Sequence, residues 1–370
     1  MQRKDRYIII MAGGRGERFW PVSRERKPKQ LITLLGERSF LQQTVDRVKP
    51  VAPLENIIII ANAVQAAAVR RQLPELPRRN IFGEPCGRDT CAAVALGAAL
   101  VGARSENSVM AVLPADHVIP DGARFRRVLI DSMALAKREP ALVTIGIQPH
   151  EPATGYGYIQ VGNKLATAST KSLKSTFFAA KKFVEKPNLA TARRYLKSGN
   201  YRWNAGMFIW SYETIAGELQ RQQPKLFAAA EKWRCIRSLA KLNAALARDY
   251  PKLEKISVDY AIMENAQNIV CADGVFGWDD LGSWPALARH IKPDAAGNCA
   301  VGDLVQIDSA NNVVFDARTR NHAPIALVGI SDMIVVQTDD ATLVAHKSES
   351  QKIKQIVAHL AKTKRFAHLV

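Results

Sequence analysis

The run Ala12-Gly13-Gly14-Arg15-Gly16-Glu17-Arg18 follows a short apolar stretch, and Lys27-Pro28-Lys29-Gln30 comes soon after. Glycines placed behind a buried strand let successive backbone N–H groups turn toward an oxyanion without interference from Cβ atoms. Arg18 and Lys29 add fixed positive charge. This is chemistry for phosphate, although the same glycines also suit an ordinary strand-to-helix turn. The loop lacks the Gly-Lys-Ser/Thr of a Walker loop, and its spacing does not fit the Gly-x-Gly-x-x-Gly of dinucleotide sites. Farther along, Asp116 follows an apolar run and Asp280 sits in a Trp-rich turn. Two carboxylates with phosphate oxygens suit Mg2+, which prefers hard oxygen ligands and keeps several waters. The plainer roles are a helix N-cap for Asp116 and a turn residue for Asp280.

Elements to position these groups are legible. Residues 7–11, 57–61, 109–113 and 142–145 are continuous apolar runs, as expected of parallel strands covered on both faces. Between them, residues 39–48, 64–73, 90–103 and 125–137 carry helix formers at helical spacing. The alternation predicts an α/β fold, doubly wound and Rossmann-like, which puts Asp116 at the carboxyl edge of the sheet where such folds bind ligands. From about residue 155 shorter strands follow (158–161, 177–184, 207–210) with a helix near 189–196, predicting an antiparallel or mixed extension of the sheet. Residues 224–250 read as helix throughout. After Pro293, short strands at 301–307, 312–315, 325–328, 333–337 and 342–345 suggest a small stacked β unit, a sandwich or a few coils of β-helix, closed by a helix over 350–362. The expected division is a larger α/β domain over 1–292 and a small β domain with a terminal helix over 293–370.

Composition excludes several classes. The chain has 370 residues and a net charge of +18, with 47% hydrophobic residues, so it is built to fold and favours anionic partners. The basic residues are dispersed and not aligned on one helical face, which disfavours nucleic acid. No apolar run approaches the roughly 18 residues of a membrane span, and the N-terminal apolar stretch is too short for a secretory signal. A cytoplasmic address is expected. An odd count of 5 cysteines describes no disulfide framework, and the close pair Cys86 and Cys91 reads as buried small residues.

The full motif series closely resembles the sugar-1-phosphate nucleotidyltransferases, and within them the mannose-1-phosphate guanylyltransferase group. It runs G-G-R-G-E-R-F-W-P (13–21), P-K-Q (28–30), G-E-P-x-x-x-D-T (83–90), L-P-A-D-H (113–117), T-G-Y-G-Y-I (154–159), F-V-E-K-P (183–187), W-N-A-G-M-F (203–208), S-V-D-Y-A (257–261) and W-D-D-L-G-S-W (278–284). The resemblance implies a GT-A-like catalytic domain with a small left-handed β-helix, converting GTP and α-D-mannose 1-phosphate to GDP-mannose and diphosphate with Mg2+. It implies that Ala12, Gly13, Gly14 and Gly16 approach the nucleotide, that Arg18 and Lys29 hold its phosphates, and that Asp116 and Asp280 form the metal pair. Asp279 is adjacent, but the family pattern puts the ligand directly before Leu-Gly. Glu84, Pro85 and Thr90 resemble the base-recognition segment, with Asp89 where Asn is usual. Gly157, Glu185, Lys186, Asn204 and Asp259 are implied on the sugar-phosphate side, Trp203 forming an aromatic wall beside Asn204. Arg15 has no assigned role, and His117 has a supporting one at most, since a phosphate nucleophile is already ionised.

Two alternatives stand beside this expectation. One is a nucleotidyltransferase for another sugar or base, such as glucose 1-phosphate with UTP or dTTP. The other is a non-catalytic basic nucleic-acid-binding or scaffold protein. Some members of the family carry a further cupin-type isomerase domain. The chain ends at Val370 without clustered histidines, so a monofunctional enzyme is expected, and the resemblance of the β unit to the family's left-handed β-helix implies a homodimer.

Overall fold

The computed structural model describes residues 1–166, 170–320 and 323–370, and the statements below concern these. They form two compact units, Met1–Gly13, Thr44–Ala115 and Ile119–Trp278 in the first, and Gly14–Gln43, Asp116–Val118 and Asp279–Val370 in the second.

The first unit is built on a sheet of β1 (Arg6–Ala12), β2 (Ile57–Asn62), β3 (Ile81–Glu84), β4 (Val109–Pro114), β5 (Leu142–Ile147), β6 (Tyr158–Lys164), β7 (Phe177–Val184), β8 (Tyr201–Ser211) and β9 (Ile269–Asp273). Their order is β3-β2-β1-β4-β8-β5-β9-β7-β6. Strands β3, β2, β1 and β4 run parallel, with Ile8 opposite Ile57 and Ile10 opposite Leu113. Strand β8 is antiparallel to both β4 and β5, giving the mixed extension expected from the sequence. The isoleucines of β1 and β2 are fully buried on both faces, each contributing roughly 1.5–3 kcal/mol.

Several helices carry the site residues or cover this sheet: α1 (Phe40–Val48), α2 (Ala66–Gln72), α3 (Asp89–Gly102), α4 (Gly122–Arg138), α5 (Leu189–Ser198), α6 (Tyr212–Gln222), α7 (Pro224–Arg234), α8 (Leu239–Asp249) and α9 (Val258–Ala261). Helix α3 is apolar all round and buried from Cys91 to Gly102, as a helix enclosed on every side must be. Gly97 lets it approach the sheet, because a Cβ there would fall 2.5 Å from Ile9 Cδ1. The single helix expected over 224–250 is two. Ser238 begins the second by accepting from the Lys241 N–H, which gives α8 an N-cap of its own.

In the second unit, β10 (Cys299–Val301), β12 (Val313–Asp316) and β14 (Met333–Gln337) stack in parallel, as do β11 (Leu304–Ile307) and β13 (Ile325–Val328), while β15 (Thr342–His346) closes antiparallel on β14. These are successive coils of a β-helix. Val314, Val335, Ile325 and Leu327 fill the interior, and the buried Asn312 ties neighbouring coils, donating to Asn298 Oδ1 at 2.9 Å and accepting from the Met333 N–H at 2.9 Å. The strand expected over 301–307 is interrupted by Gly302 at φ +100°, where a Cβ would fall 2.7 Å from Asp316 Cβ. After α10 (Trp284–Ala288), the closing helix α11 spans Ile353–Lys362, the residues before it forming a 3₁₀ segment, Lys347–Lys352. No helix among the described residues is long and apolar enough to cross a membrane.

Candidate functional site

The glycine loop continues from β1 into the second unit. Gly16 has φ +63°, and a Cβ there would lie 2.5 Å from Lys29 Cβ, so only glycine fits. The loop is pinned from Lys29's neighbourhood: Gln30 Nε2 donates to the Gly14 carbonyl at 3.0 Å and Ser23 Oγ to the Gly16 carbonyl at 2.7 Å. The adjoining Phe19 and Trp20 anchor in a core with Leu281, Trp284 and Phe315. Phe19 meets Trp284 edge-on at 5.0 Å. Apolar packing thus fixes the turn on which Arg18 stands.

Lys29 is 4% exposed. Its Nζ donates to Asp116 Oδ2 at 2.9 Å and to the Asp280 carbonyl at 2.6 Å. A two-way backbone bridge between Val118 and Asp279, at 2.9 and 3.1 Å, joins the segments carrying Asp116 and Asp280. Both aspartates line one pocket of about 360 Å³ with Gly16, Arg18 and Lys29. Arg15, His117 and Lys354 of α11 also line it. Arg18 Nη1 donates to the Gly282 carbonyl at 3.3 Å, and its buried Nε has no hydrogen-bond partner among the described residues. Burial works to raise the Asp116 carboxyl, but the charges of Lys29 and His117 and the Lys29 hydrogen bond outweigh it, holding the group below its ordinary value. It is a carboxylate.

The neighbouring aspartates have different tasks. Asp279 is buried and accepts from the Leu281 N–H at 2.8 Å, from Arg289 Nε and Nη2 at 2.9 Å each, and its Oδ2 lies 2.9 Å from His290 Nε2. It anchors the turn, while Asp280 lines the pocket. A Cβ at Gly282 would come within 3.2 Å of Asp280 Oδ2, so this glycine leaves the carboxylate room. Among the described residues no group of three or more His, Cys, Asp and Glu is placed to hold a metal. Two hard carboxylates beside phosphate-binding cations still fit a cation that takes its other ligands from phosphate and water.

The remaining candidates lie in the first unit, in two clusters. Glu84 ends β3, buried, with Tyr250 Oη donating to Oε1 at 2.5 Å. Burial pushes its carboxyl up to about 7, and the tyrosine hydrogen bond offsets part of that. A Cβ at Gly13, next to Ala12 at the end of β1, would lie 2.8 Å from Glu84 Oε2 and push that carboxylate aside. Thr90 Oγ1 accepts from the Val258 N–H at 2.9 Å, joining the start of α3 to α9, and Pro85 lies in the loop between. Asp89 begins α3 at φ +61°, its Oδ1 accepting from the Thr90 N–H at 2.8 Å.

The second cluster is Gly157, Glu185, Lys186, Asn204 and Asp259. A Cβ at Gly157 would lie 2.4 Å from Glu185 Oε2, so a side chain there would displace that carboxylate. Asn204 Nδ2 donates to Asp259 Oδ1 at 2.7 Å, and its Oδ1 accepts from the Gly206 N–H at 3.0 Å. Glu185 pairs with Lys186 at 2.9 Å. Burial and the Glu185 charge push Asp259 up to about 6. Trp203 is itself 1% exposed, packed against Tyr156 at 5.0 Å and His150 at 4.8 Å. It backs the strand and offers no open wall. No pattern in the sequence points to Tyr250 or Lys354, which lie far along the chain from the motifs they serve.

Residues 7–296 match the nucleotidyl transferase family profile, and residues 302–360 the mannose-phosphate isomerase/GMP-like beta-helix domain. The chain is 38% identical over 355 residues to the xanthan biosynthesis protein XanB of Xanthomonas campestris pv. campestris, covering 95% of this chain and 72% of that protein. It is 36% identical over 380 residues to a mannose-1-phosphate guanylyltransferase of Escherichia coli, covering 100% of this chain and 76% of that protein. The crystal structure of a mannose-1-phosphate geranyltransferase from Thermus thermophilus superposes with a TM-score of 0.83 at 33% identity, covering 96% of this chain and 99% of that one. Family members generally use divalent metal ions. The glycine loop, the lysine-linked aspartates and these matches make one statement: this chain is an enzyme belonging to the nucleotidyl transferase family.

Proposed function

We propose that the chain catalyses guanylyl transfer from GTP to α-D-mannose 1-phosphate, giving GDP-mannose and diphosphate. The observation that carries this reading is Lys29, held between the Asp116 carboxylate and the Asp280 backbone in a pocket shared with Arg18 and both carboxylates. A phosphate oxygen of the sugar attacks the α-phosphorus and forms the new P–O bond. The bond from that phosphorus to the bridging oxygen breaks, and its electron pair leaves with diphosphate. The reactants carry roughly −2 and −4, so cations must offset their repulsion. Arg18 and Lys29 bind the phosphates and stabilise the charge that develops on the leaving group. No general base is required, because the nucleophile is already ionised.

Asp116 and Asp280 would hold Mg2+, which when bound neutralises phosphate charge as a Lewis acid. The backbone of Ala12, Gly13, Gly14 and Gly16 lies along the nucleotide. Glu84 accepts from guanine N1–H and N2–H, a donor pair that adenine lacks, beside Pro85 and Thr90. Glu185, Asn204 and Asp259 accept from or donate to mannose hydroxyls over Gly157, and Lys186 meets the sugar phosphate. An epimer that left one of these half-buried groups covered and unpaired would lose about 1–3 kcal/mol. The outward side chains Val305, Ile307 and Val328 are 55%, 59% and 67% exposed. They suit a second copy of the chain, a homodimer formed through the β-helix. We assign the enzyme to the cytoplasm.

Diphosphate release tests the substrate reading. Measured with GTP, ATP, UTP and dTTP against mannose 1-phosphate and glucose 1-phosphate, it should be fastest for GTP with mannose 1-phosphate. A preference for UTP or dTTP with glucose 1-phosphate would overturn the assignment.

A further inference from the structure

A second cavity of about 370 Å³ lies in the first unit, with three guanidinium groups on its lining, those of Arg79, Arg104 and Arg237. Their hydrogen bonds go to neutral acceptors. Arg104 donates to the Glu55 carbonyl at 3.0 Å and to Asn80 Oδ1 at 2.8 Å, and Arg237 donates to the Ala103 carbonyl at 2.8 Å. Arg79 makes no hydrogen bond, and none of the three forms an ion pair, among the described residues. Burial pushes the Arg104 guanidinium down, Tyr7 offsets part of that, and the nearby Arg79 charge adds to it. Glu55 lines the cavity as well, so three guanidiniums stand against one carboxylate, a net positive surround that favours a bound anion.

Beyond these charged groups, Asn56 and Ala103, the rest of the lining is apolar. Phe82, Leu100, Ile236, Leu239 and Leu242 contribute to it, and Leu239 is 40% exposed. Arg79 lies two residues before the start of β3, whereas Glu84 ends it. Leu100 and Arg104 stand at the C-terminal end of α3, whereas Thr90 stands at its start. A helix of 14 residues separates the two places by about 20 Å. The negative end of that helix is covered where Arg237 meets the Ala103 carbonyl, which leaves Arg79 and the outer faces of the other two guanidiniums to a ligand.

We propose that this cavity binds a phosphate ester carrying an apolar body, at a site separate from the substrate residues. The arginines take the phosphate and the leucine and phenylalanine side chains take the body. A volume of this size is within the ~300–1,000 Å³ usual for small-ligand pockets.

Calorimetric titration of the full chain with 1-naphthyl phosphate tests the proposal, with 1-naphthol and inorganic phosphate as the probes lacking charge or body. The phosphate ester should bind at least ten-fold more tightly than either. Arg79→Gln, which alters an exposed side chain, and the double variant Arg79→Gln/Arg237→Gln should each weaken it, the double at least ten-fold. Diphosphate release without the probe should stay at the wild-type rate in both, and Lys29→Ala should retain the probe's affinity. Equal affinity in wild type and Arg79→Gln, loss of binding in Lys29→Ala alone, or no advantage over inorganic phosphate would each overturn the proposal.

Discussion

Lys29 and Asp116, 87 positions apart in sequence, meet at 2.9 Å in a place where the lysine has almost no exposure. A buried ammonium is stable only when paired, and here it holds the carboxylate in its charged form from the side away from solvent. Lys29 also reaches the Asp280 carbonyl, so one cation organises both aspartate segments. Replacing Lys29 by Met should lower kcat by about 10²–10³, the scale for losing a preorganised charge at a transferring phosphoryl group. It should also raise the Asp116 pKa, which NMR titration of that carboxyl would detect. Unchanged turnover would remove Lys29 from the machinery.

Gly16 makes a backbone prediction. Alanine there must adopt φ +63° and place its Cβ 2.5 Å from Lys29 Cβ. The strain alone costs about 1–2 kcal/mol, and the contact forces Lys29 or the loop to shift. Gly16→Ala should lower the denaturation midpoint and reduce kcat together. Gly14→Ala, whose Cβ meets nothing within 4 Å, should leave stability close to wild type in the same urea titration.

Glu84 sets a pH dependence. Its ordinary value is 4.5 and its folded value about 7. The native state therefore holds a proton that the unfolded chain has released between these pH values. The stability this proton confers is fully present below pH 4.5 and is lost as pH rises through about 7. The shift corresponds to roughly 3 kcal/mol at most. Glu84→Gln should remove that slope from the stability profile measured by urea unfolding at a series of pH values. Because the guanine contact needs the carboxylate, KM for GTP should rise as pH falls below about 7 in wild type. A KM independent of pH would separate Glu84 from the base.

Lys354 comes from the last long helix yet lines the pocket with Arg18 and Lys29. Lys354→Ala should raise KM for the triphosphate several-fold and leave the thermal midpoint nearly unchanged, since surface substitutions usually shift stability within about 0.5 kcal/mol. Steady-state kinetics with GTP varied would read this directly, and an unaltered KM would leave Lys354 a bystander.

What could be read in advance follows the physics of each element. Strands β1, β2, β4 and β5 are continuous apolar runs because helices cover both their faces, so composition alone marks them. Strand β3, Ile81–Glu84, has 4 residues and a glycine, too short for any periodicity to register, though it carries Glu84 to its place. The break between α7 and α8 rests on one serine cap inside a helix-forming stretch. Motif order indicated Asp116 and Asp280, and the Val118–Asp279 bridge that joins their segments depends on backbone pairing between distant residues. The Tyr250 hydroxyl on Glu84 and the arrival of Lys354 at the phosphate pocket are likewise products of tertiary packing, with no local pattern to announce them.

In the proposed mechanism Asp280 works with Asp116 on a divalent cation during guanylyl transfer, and every other assignment at the phosphate pocket depends on that pairing. The decisive measurement is diphosphate release from GTP and mannose 1-phosphate by Asp280→Asn across a magnesium titration. Turnover should lie at least a thousand-fold below wild type at every magnesium concentration, with circular dichroism and thermal midpoint preserved. Near-normal turnover by this variant in magnesium would contradict the pairing.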